Sequence, residues 1–160
     1  MAPDQLRLVD GTIVRLCPTE KPLYCSRAGK FYSIHGMQIT ENGCIMREIK
    51  PNLAQVGTRR CTHTNGNGTH YPFLRQFGAK HCHYLVAAAW YGPRPEGKVI
   101  DHLNGNIFDW SADNLQYVTP AENNKRARIL RILRNVIGRD PLQMSRAELL
   151  HLFNKYEFAN

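Results

Sequence analysis

The amino-acid sequence predicts an α+β protein, and three observations predict it. Residues 1–75 carry short alternating segments broken by Gly, Pro and Asn, the pattern of a small antiparallel sheet. Thr119-Pro120-Ala121-Glu122 reads as a helix start, with an N-cap Thr, a Pro at the first helical position and a Glu three residues after the cap. Beyond residue 125 the apolar residues recur at helical spacing in two successive runs.

The elements follow in order along three zones. In residues 1–75, Thr12-Ile13-Val14-Arg15-Leu16 and Lys30-Phe31-Tyr32-Ser33-Ile34 are strand candidates, and Asn65-Gly66-Asn67-Gly68 is a turn signal with strands expected on both sides. This zone either stands as a β-rich region of its own or is part of the following domain. In residues 76–126, His83 to Tyr91 forms a compact helix candidate closed by Gly92-Pro93. A strand then runs from Lys98 to Leu103, and Asn104-Gly105 favours a tight turn. The helix opened by Thr119 places Asn123 in its first turn. Residues 127–160 form a helical extension. Ile129, Ile132, Leu133, Val136 and Ile137 share one face of its first helix, and Gly138 and Pro141 stop it. Its second helix opens at Ser145-Arg146-Ala147-Glu148, another capping box, and carries Leu149, Leu150, Leu152, Phe153 and Tyr156.

Composition narrows the function. At 160 residues the chain is long enough for one domain with a real core. The formal net charge of +8 suits a polyanion, either nucleic acid or an anionic membrane. No apolar run reaches the length of a membrane-spanning helix, and the N-terminus lacks the basic start and apolar run of a signal peptide, so a cytoplasmic protein is expected. Cys17, Cys25, Cys44, Cys61 and Cys82 form no C-x-x-C pair, and buried free thiols are expected. Cys61-Thr62-His63 and His81-Cys82-His83 leave a structural zinc protein as an alternative.

The chemistry concentrates in two stretches, Val99-Ile100-Asp101-His102-Leu103-Asn104-Gly105-Asn106 and Asp113-Asn114-Leu115-Gln116-Tyr117-Val118-Thr119-Pro120-Ala121-Glu122-Asn123. A carboxylate, an imidazole and a carboxamide gathered by a short turn and a helix start can hold one hard divalent metal beside a general base. Those are the parts that phosphodiester hydrolysis needs. The blander reading of the same residues is a polar turn with a surface histidine and a helix-start asparagine.

The ordered set His83-Tyr84-Leu85-Val86-Ala87, Asp101-His102, Gly105-Asn106, Asn114-Leu115 and Thr119-Pro120-Ala121-Glu122-Asn123 resembles the HNH endonucleases, most closely their phage-type and homing branch. The resemblance implies a ββα-metal core of two antiparallel strands and a helix over residues 76–126. It implies a metal-dependent DNA endonuclease working through one metal, Mg²⁺ or Mn²⁺, on DNA that is double-stranded, in a prokaryotic or phage-encoded protein. His102 would be the general base, and Asp101 and Asn123 the metal ligands. Asn114 would tie the loop to the first strand and orient His102, and His83 would be a supporting group behind the site. Asp109 and Trp110 depart from the family pattern, and Asp113 adds a further carboxylate to that loop. Lys125, Arg126, Arg128, Arg131 and Arg134 are expected to contact the DNA backbone, although a run of basic residues on a helix is more often a solvated face. The competing reading is an HNH scaffold that binds nucleic acid and no longer cuts it.

Overall fold

The computed structural model describes residues 2–52 and 71–157. The expected Asn65–Gly68 hairpin, Cys61 and His63 lie outside the described residues. The chain is α+β, as the sequence predicts.

Five antiparallel strands make the first layer: β1 (Gln5–Arg7), β2 (Ile13–Leu16), β3 (Leu23–Ser26), β4 (Phe31–Thr40) and β5 (Gly43–Ile49), in sequential order. Sequential order follows from short connections between antiparallel neighbours. The β4–β5 register shifts between Ser33 and Gln38, which bends the sheet. The sheet curls until its first and last strands meet. The Val9 amide donates to the Cys44 carbonyl at 3.1 Å, beside a parallel bridge between Leu8 and Cys44. The curl encloses Leu8, Val14, Tyr24, Tyr32 and Cys44.

The opposite face of the sheet supplies the main core. Cys17, Leu23, Cys25, Phe31 and Ile49 pack against Cys82, Leu85, Val86 and Ala87 of α1 (Cys82–Tyr91), with Ala112 and Leu115 at the margin. Each large apolar side chain buried there contributes about 1.5–3 kcal/mol of transfer free energy. A short pair of strands, β6 (Phe73–Leu74) and β7 (Lys80–His81), leads into α1. The Cys82 amide donates to the Pro72 carbonyl at 2.9 Å, so the helix begins one residue earlier than its apolar pattern suggests. Four of the five cysteines, Cys17, Cys25, Cys44 and Cys82, are buried free thiols.

A second antiparallel pair follows, β8 (Val99–His102) with β9 (Leu115–Val118), and then α2 (Pro120–Ile132). The helix α2 crosses the expected boundary at residue 126 without a break. It passes into one π-helical turn over Leu133–Ile137, which ends at Gly138 with φ of 72°. The final helix, α3 (Arg146–Glu157), starts at a complete Ser145–Glu148 capping box. Leu103, Leu130, Leu133, Leu149 and Phe153 form a third cluster where α2, α3 and the β8–β9 turn meet.

The apolar face expected on α2 is only partly the buried one. Leu130 and Leu133 are buried, whereas Ile132, Val136 and Ile137 are exposed. The π turn has more residues per turn than an α-helix, so it rotates Val136 and Ile137 off the face that α3 covers.

The loop that departs from the family pattern is docked on the sheet. The Trp110 indole donates to the Gly29 carbonyl at 2.8 Å, and the Ala112 amide donates to the Arg27 carbonyl at 2.8 Å. Arg27 and Asp113 form an ion pair at 2.7 Å. Gly29 sits at φ of +83°, and a Cβ there would meet the Trp110 ring at 2.7 Å. Glycine is therefore required twice over, by backbone conformation and by space. Gly29→Ala should cost about 1–3 kcal/mol of stability. An unchanged urea midpoint for Gly29→Ala would show that this docking does not constrain the fold.

Candidate active site

The site is assembled from the end of β8, the start of α1 and the start of α2. In the β8–β9 ladder Asp101 pairs with Gln116 and His102 with Leu115. Asp101 and His102 are each only 7% exposed. A buried carboxylate and a buried imidazole both need polar or charged company, and the structure supplies it from different elements.

Asp101 lies against α2. Its carboxylate accepts from the Gln116 side-chain amide at 3.4 Å and pairs with the Arg126 guanidinium at 3.4 Å. The other face of that guanidinium stands 5.0 Å from the centre of the Phe153 ring, a cation–π contact to α3. Arg126 is itself buried, so it departs from the expected DNA-contacting set. Lys125, Arg128, Arg131 and Arg134 are exposed.

The start of α2 is held as the sequence predicts. The Glu122 amide donates to Thr119 Oγ1 at 3.2 Å, and the Thr119 amide donates to the Glu122 carboxylate at 2.6 Å. These bonds keep the Glu122 carboxyl below its ordinary range. Asn123 follows, its amide donating to the Thr119 carbonyl at 2.9 Å. Asn123 stands three residues before Arg126, so the two are neighbours on one side of α2. Because Arg126 reaches Asp101, that side of the helix faces β8.

Asn114 is a clamp. Its side-chain amide donates to Asn104 Oδ1 at 2.9 Å and to the Asp109 carbonyl at 2.8 Å, and its Oδ1 accepts from the Asn104 amide at 3.1 Å. The Asn114 carbonyl also accepts from the Leu103 amide at 2.9 Å. The turn that follows His102 is thus tied to the residue just before β9. Gly105 closes the turn at φ of 76°, its amide donating to the His102 carbonyl at 2.8 Å.

The carboxylates of the departing loop have partners. Asp109 accepts from the Ser111 hydroxyl at 2.7 Å and from the Asn104 side-chain amide at 3.2 Å, and Asp113 pairs with Arg27.

His102 faces a group of rings. Tyr71 stacks on it with ring centres 6.1 Å apart, and His83 meets it edge-on at 5.2 Å. Tyr71 also meets His83 at 4.6 Å, and His81 stacks on His83 at 5.4 Å. Burial draws the His102 pKa down to about 4, against the opposing pull of Asp109. Burial draws His83 down to about 3, helped by His102, His81 and Arg94. Both imidazoles are therefore neutral at pH 7, and a neutral imidazole is the form able to accept a proton. His102 Nε2 and His83 Nδ1 are buried without hydrogen-bond partners among the described residues.

Tyr71 and Gln116 escape a reading of the sequence. Gln116 is recoverable once β8 and β9 are paired, since it stands opposite Asp101. Tyr71 carries no local signal at all, because only the tertiary fold brings it beside His102.

Residues 80–125 match the family model described as HNH endonuclease. This segment is similar to the HNH endonucleases. No curated protein matches the chain, and no solved structure matches it. The HNH segment runs from β7 through both strands of the β8–β9 pair into the first half of α2. The match suggests nuclease chemistry on nucleic acid. Of the residues named for the zinc alternative, Cys82 is fully buried in the main core, and Cys61 and His63 lie outside the described residues. Among the described residues no three His, Cys, Asp or Glu side chains are grouped to hold a metal. The Asp101 carboxylate and the Asn123 carboxamide, both oxygen donors of the kind a hard cation takes, come from elements that meet here. Among the described residues no helix is long and apolar enough to cross a membrane.

Removing the clamp tests its weight. Asn114→Ala leaves the buried Asn104 amide without its acceptor and takes one donor each from Asn104 Oδ1 and the Asp109 carbonyl, so it should lower stability by roughly 2–4 kcal/mol in chemical denaturation. The buried imidazoles set the response to acid. The unfolded chain takes up protons near the ordinary imidazole pKa of 6.5, which folded His83 and His102 refuse until about 3 and about 4. Stability should be complete above that ordinary value and fall as the pH drops toward the folded values. His83→Gln should flatten the fall of Tm with acid, and an equal slope in both proteins would remove His83 as a cause.

Proposed function

We propose that this chain is a metal-dependent DNA endonuclease of the phage and homing type. The observation that carries the reading is the buried Asp101–His102 pair at the end of β8, set against the capped start of α2 within the HNH segment. His102 takes the proton from the water that attacks phosphorus, and burial keeps its imidazole in the accepting form. Asn114 holds the turn beyond His102 and so fixes the direction of that ring. His83 supports His102 from the start of α1. Asp101 and Asn123 would hold Mg²⁺ or Mn²⁺. When bound, the metal supplies Lewis-acid polarisation of a phosphate oxygen and relief of charge at the leaving 3′ oxygen.

Lys125, Arg128, Arg131 and Arg134 point away from the core along and just beyond α2, where phosphates of a duplex held at the site would run. Such contacts position the nucleic acid without reading its sequence. The proposed setting is the cytoplasm of a prokaryotic or phage-infected cell. One metal centre of this kind cuts one strand at a time.

A second reading is an HNH scaffold that binds DNA without cutting it. The burial of His102 and the pairing of Asp101 with Arg126 favour it.

Supercoiled plasmid with Mg²⁺ or Mn²⁺ separates the two readings. Wild type should nick the plasmid, and His102→Ala and Asn123→Ala should each lower the rate at least about a hundredfold. Equal cutting by all three proteins would sink the assignment, and binding without cutting in any metal would establish the scaffold reading. Replacing Arg128, Arg131 and Arg134 by Gln should reduce the dependence of log K on log salt by about 0.9 for each phosphate no longer neutralised. An unchanged salt slope would place the DNA elsewhere.

A further inference from the structure

We infer that Arg126 is a built-in counter-cation that competes with the divalent metal for the Asp101 carboxylate. The inference rests on the reading of Asp101 and Asn123 as the metal-holding pair. Its starting point is that α2 and the turn after it carry one arginine unlike the others. Arg128, Arg131 and Arg134 are exposed, whereas the Arg126 and Asp101 side chains are 9% and 8% exposed and meet at 3.4 Å. An arginine kept for contact with DNA phosphates has no reason to be buried.

A buried carboxylate has one. Asp101 is removed from water by the β8–β9 pair, and a carboxylate there needs positive charge close by. The Arg126 guanidinium supplies that charge at 3.4 Å. Its reach is set from behind by Phe153, which is fully buried in the cluster joining α2 to α3. The counter-cation is therefore held in place by the C-terminal helix.

Asn123 stands about one helical turn from Arg126 on the same side of α2, so a metal held by Asp101 and Asn123 would meet the carboxylate that the guanidinium already holds. Two cations would then share one carboxylate in a poorly solvated place, where like charges repel strongly. Arg126 keeps the site assembled when no metal is bound, and it weakens the metal's hold when one is. The geometry thus couples metal affinity to the α2–α3 contact through one side chain.

The test uses the whole chain with Mn²⁺ as the probe. Free Mn²⁺ is titrated by electron paramagnetic resonance, and Tm is measured with Mn²⁺ and with chelator. R126M should bind Mn²⁺ roughly tenfold or more tightly than wild type. It should also melt lower in chelator and gain more from added Mn²⁺ than wild type does. R126K, which keeps the charge, should bind Mn²⁺ about as wild type does. If R126M does not fold in chelator, R126Q carries the same comparison, since its amide can still donate to Asp101. Equal or weaker Mn²⁺ binding by R126M or R126Q would overturn the inference, and weaker binding would make Arg126 a residue that positions Asp101. Wild type that takes up no Mn²⁺ in an Asp101-dependent way, judged against D101N, would overturn the metal-site reading and this inference with it.

Discussion

The ion pair of Asp101 with Arg126 joins three parts of the molecule that the chain separates. Asp101 belongs to β8, Arg126 to α2, and the ring beneath the guanidinium, Phe153, to α3. A charged pair removed from water stabilises little by itself, because desolvation offsets most of the attraction. Its effect is on arrangement, since breaking it leaves a buried charge without compensation. The orientation of α2 on β8 is therefore tightly specified, and with it the position of Asn123 one turn earlier. The placement of the candidate metal ligands depends on a residue that ligates nothing.

The rest of the site is built around the same strand end by bonds of a different kind. Asn114 and Asn104 exchange side-chain and main-chain hydrogen bonds across the turn that follows His102. Beyond them, the loop through Trp110 and Asp113 is fastened to the β3–β4 turn at Arg27 and Gly29. The carboxylates of that loop are occupied within the protein: Asp113 faces Arg27, and Asp109 faces Asn104 and Ser111. The five-stranded sheet thus acts as a platform for the loop that carries Trp110 and Asp113. Of the two departures from the family pattern, Trp110 is explained by this platform and Asp109 by its bonds to Asn104 and Ser111.

Much of the local structure is legible in the chain. Thr119, Pro120 and Glu122 specify the start of α2 through contacts within four residues, and the structure has every one of those bonds. Ser145 and Glu148 do the same for α3. The Asn104-Gly105 turn needs a left-handed glycine and has one. The reading fails where a residue's fate depends on what another element covers. Arg126 looks like its neighbours in a basic run, yet it meets a buried carboxylate and they face solvent. Ile132, Val136 and Ile137 have the spacing of a buried stripe, yet all three are exposed, the last two because the π turn rotates them outward.

Local chemistry along the chain sets its class and the order of the chemistry-bearing residues. Caps, turns and an ordered motif are encoded by near neighbours and do not depend on the rest of the fold. The tertiary structure alone decided which of those residues are buried and what they face. It brought Tyr71 and His83 to His102, Arg126 to Asp101 and the β3–β4 turn to Trp110. Burial and ion pairing are properties of surfaces in contact, and a pattern read along one chain cannot name the surface that will cover it.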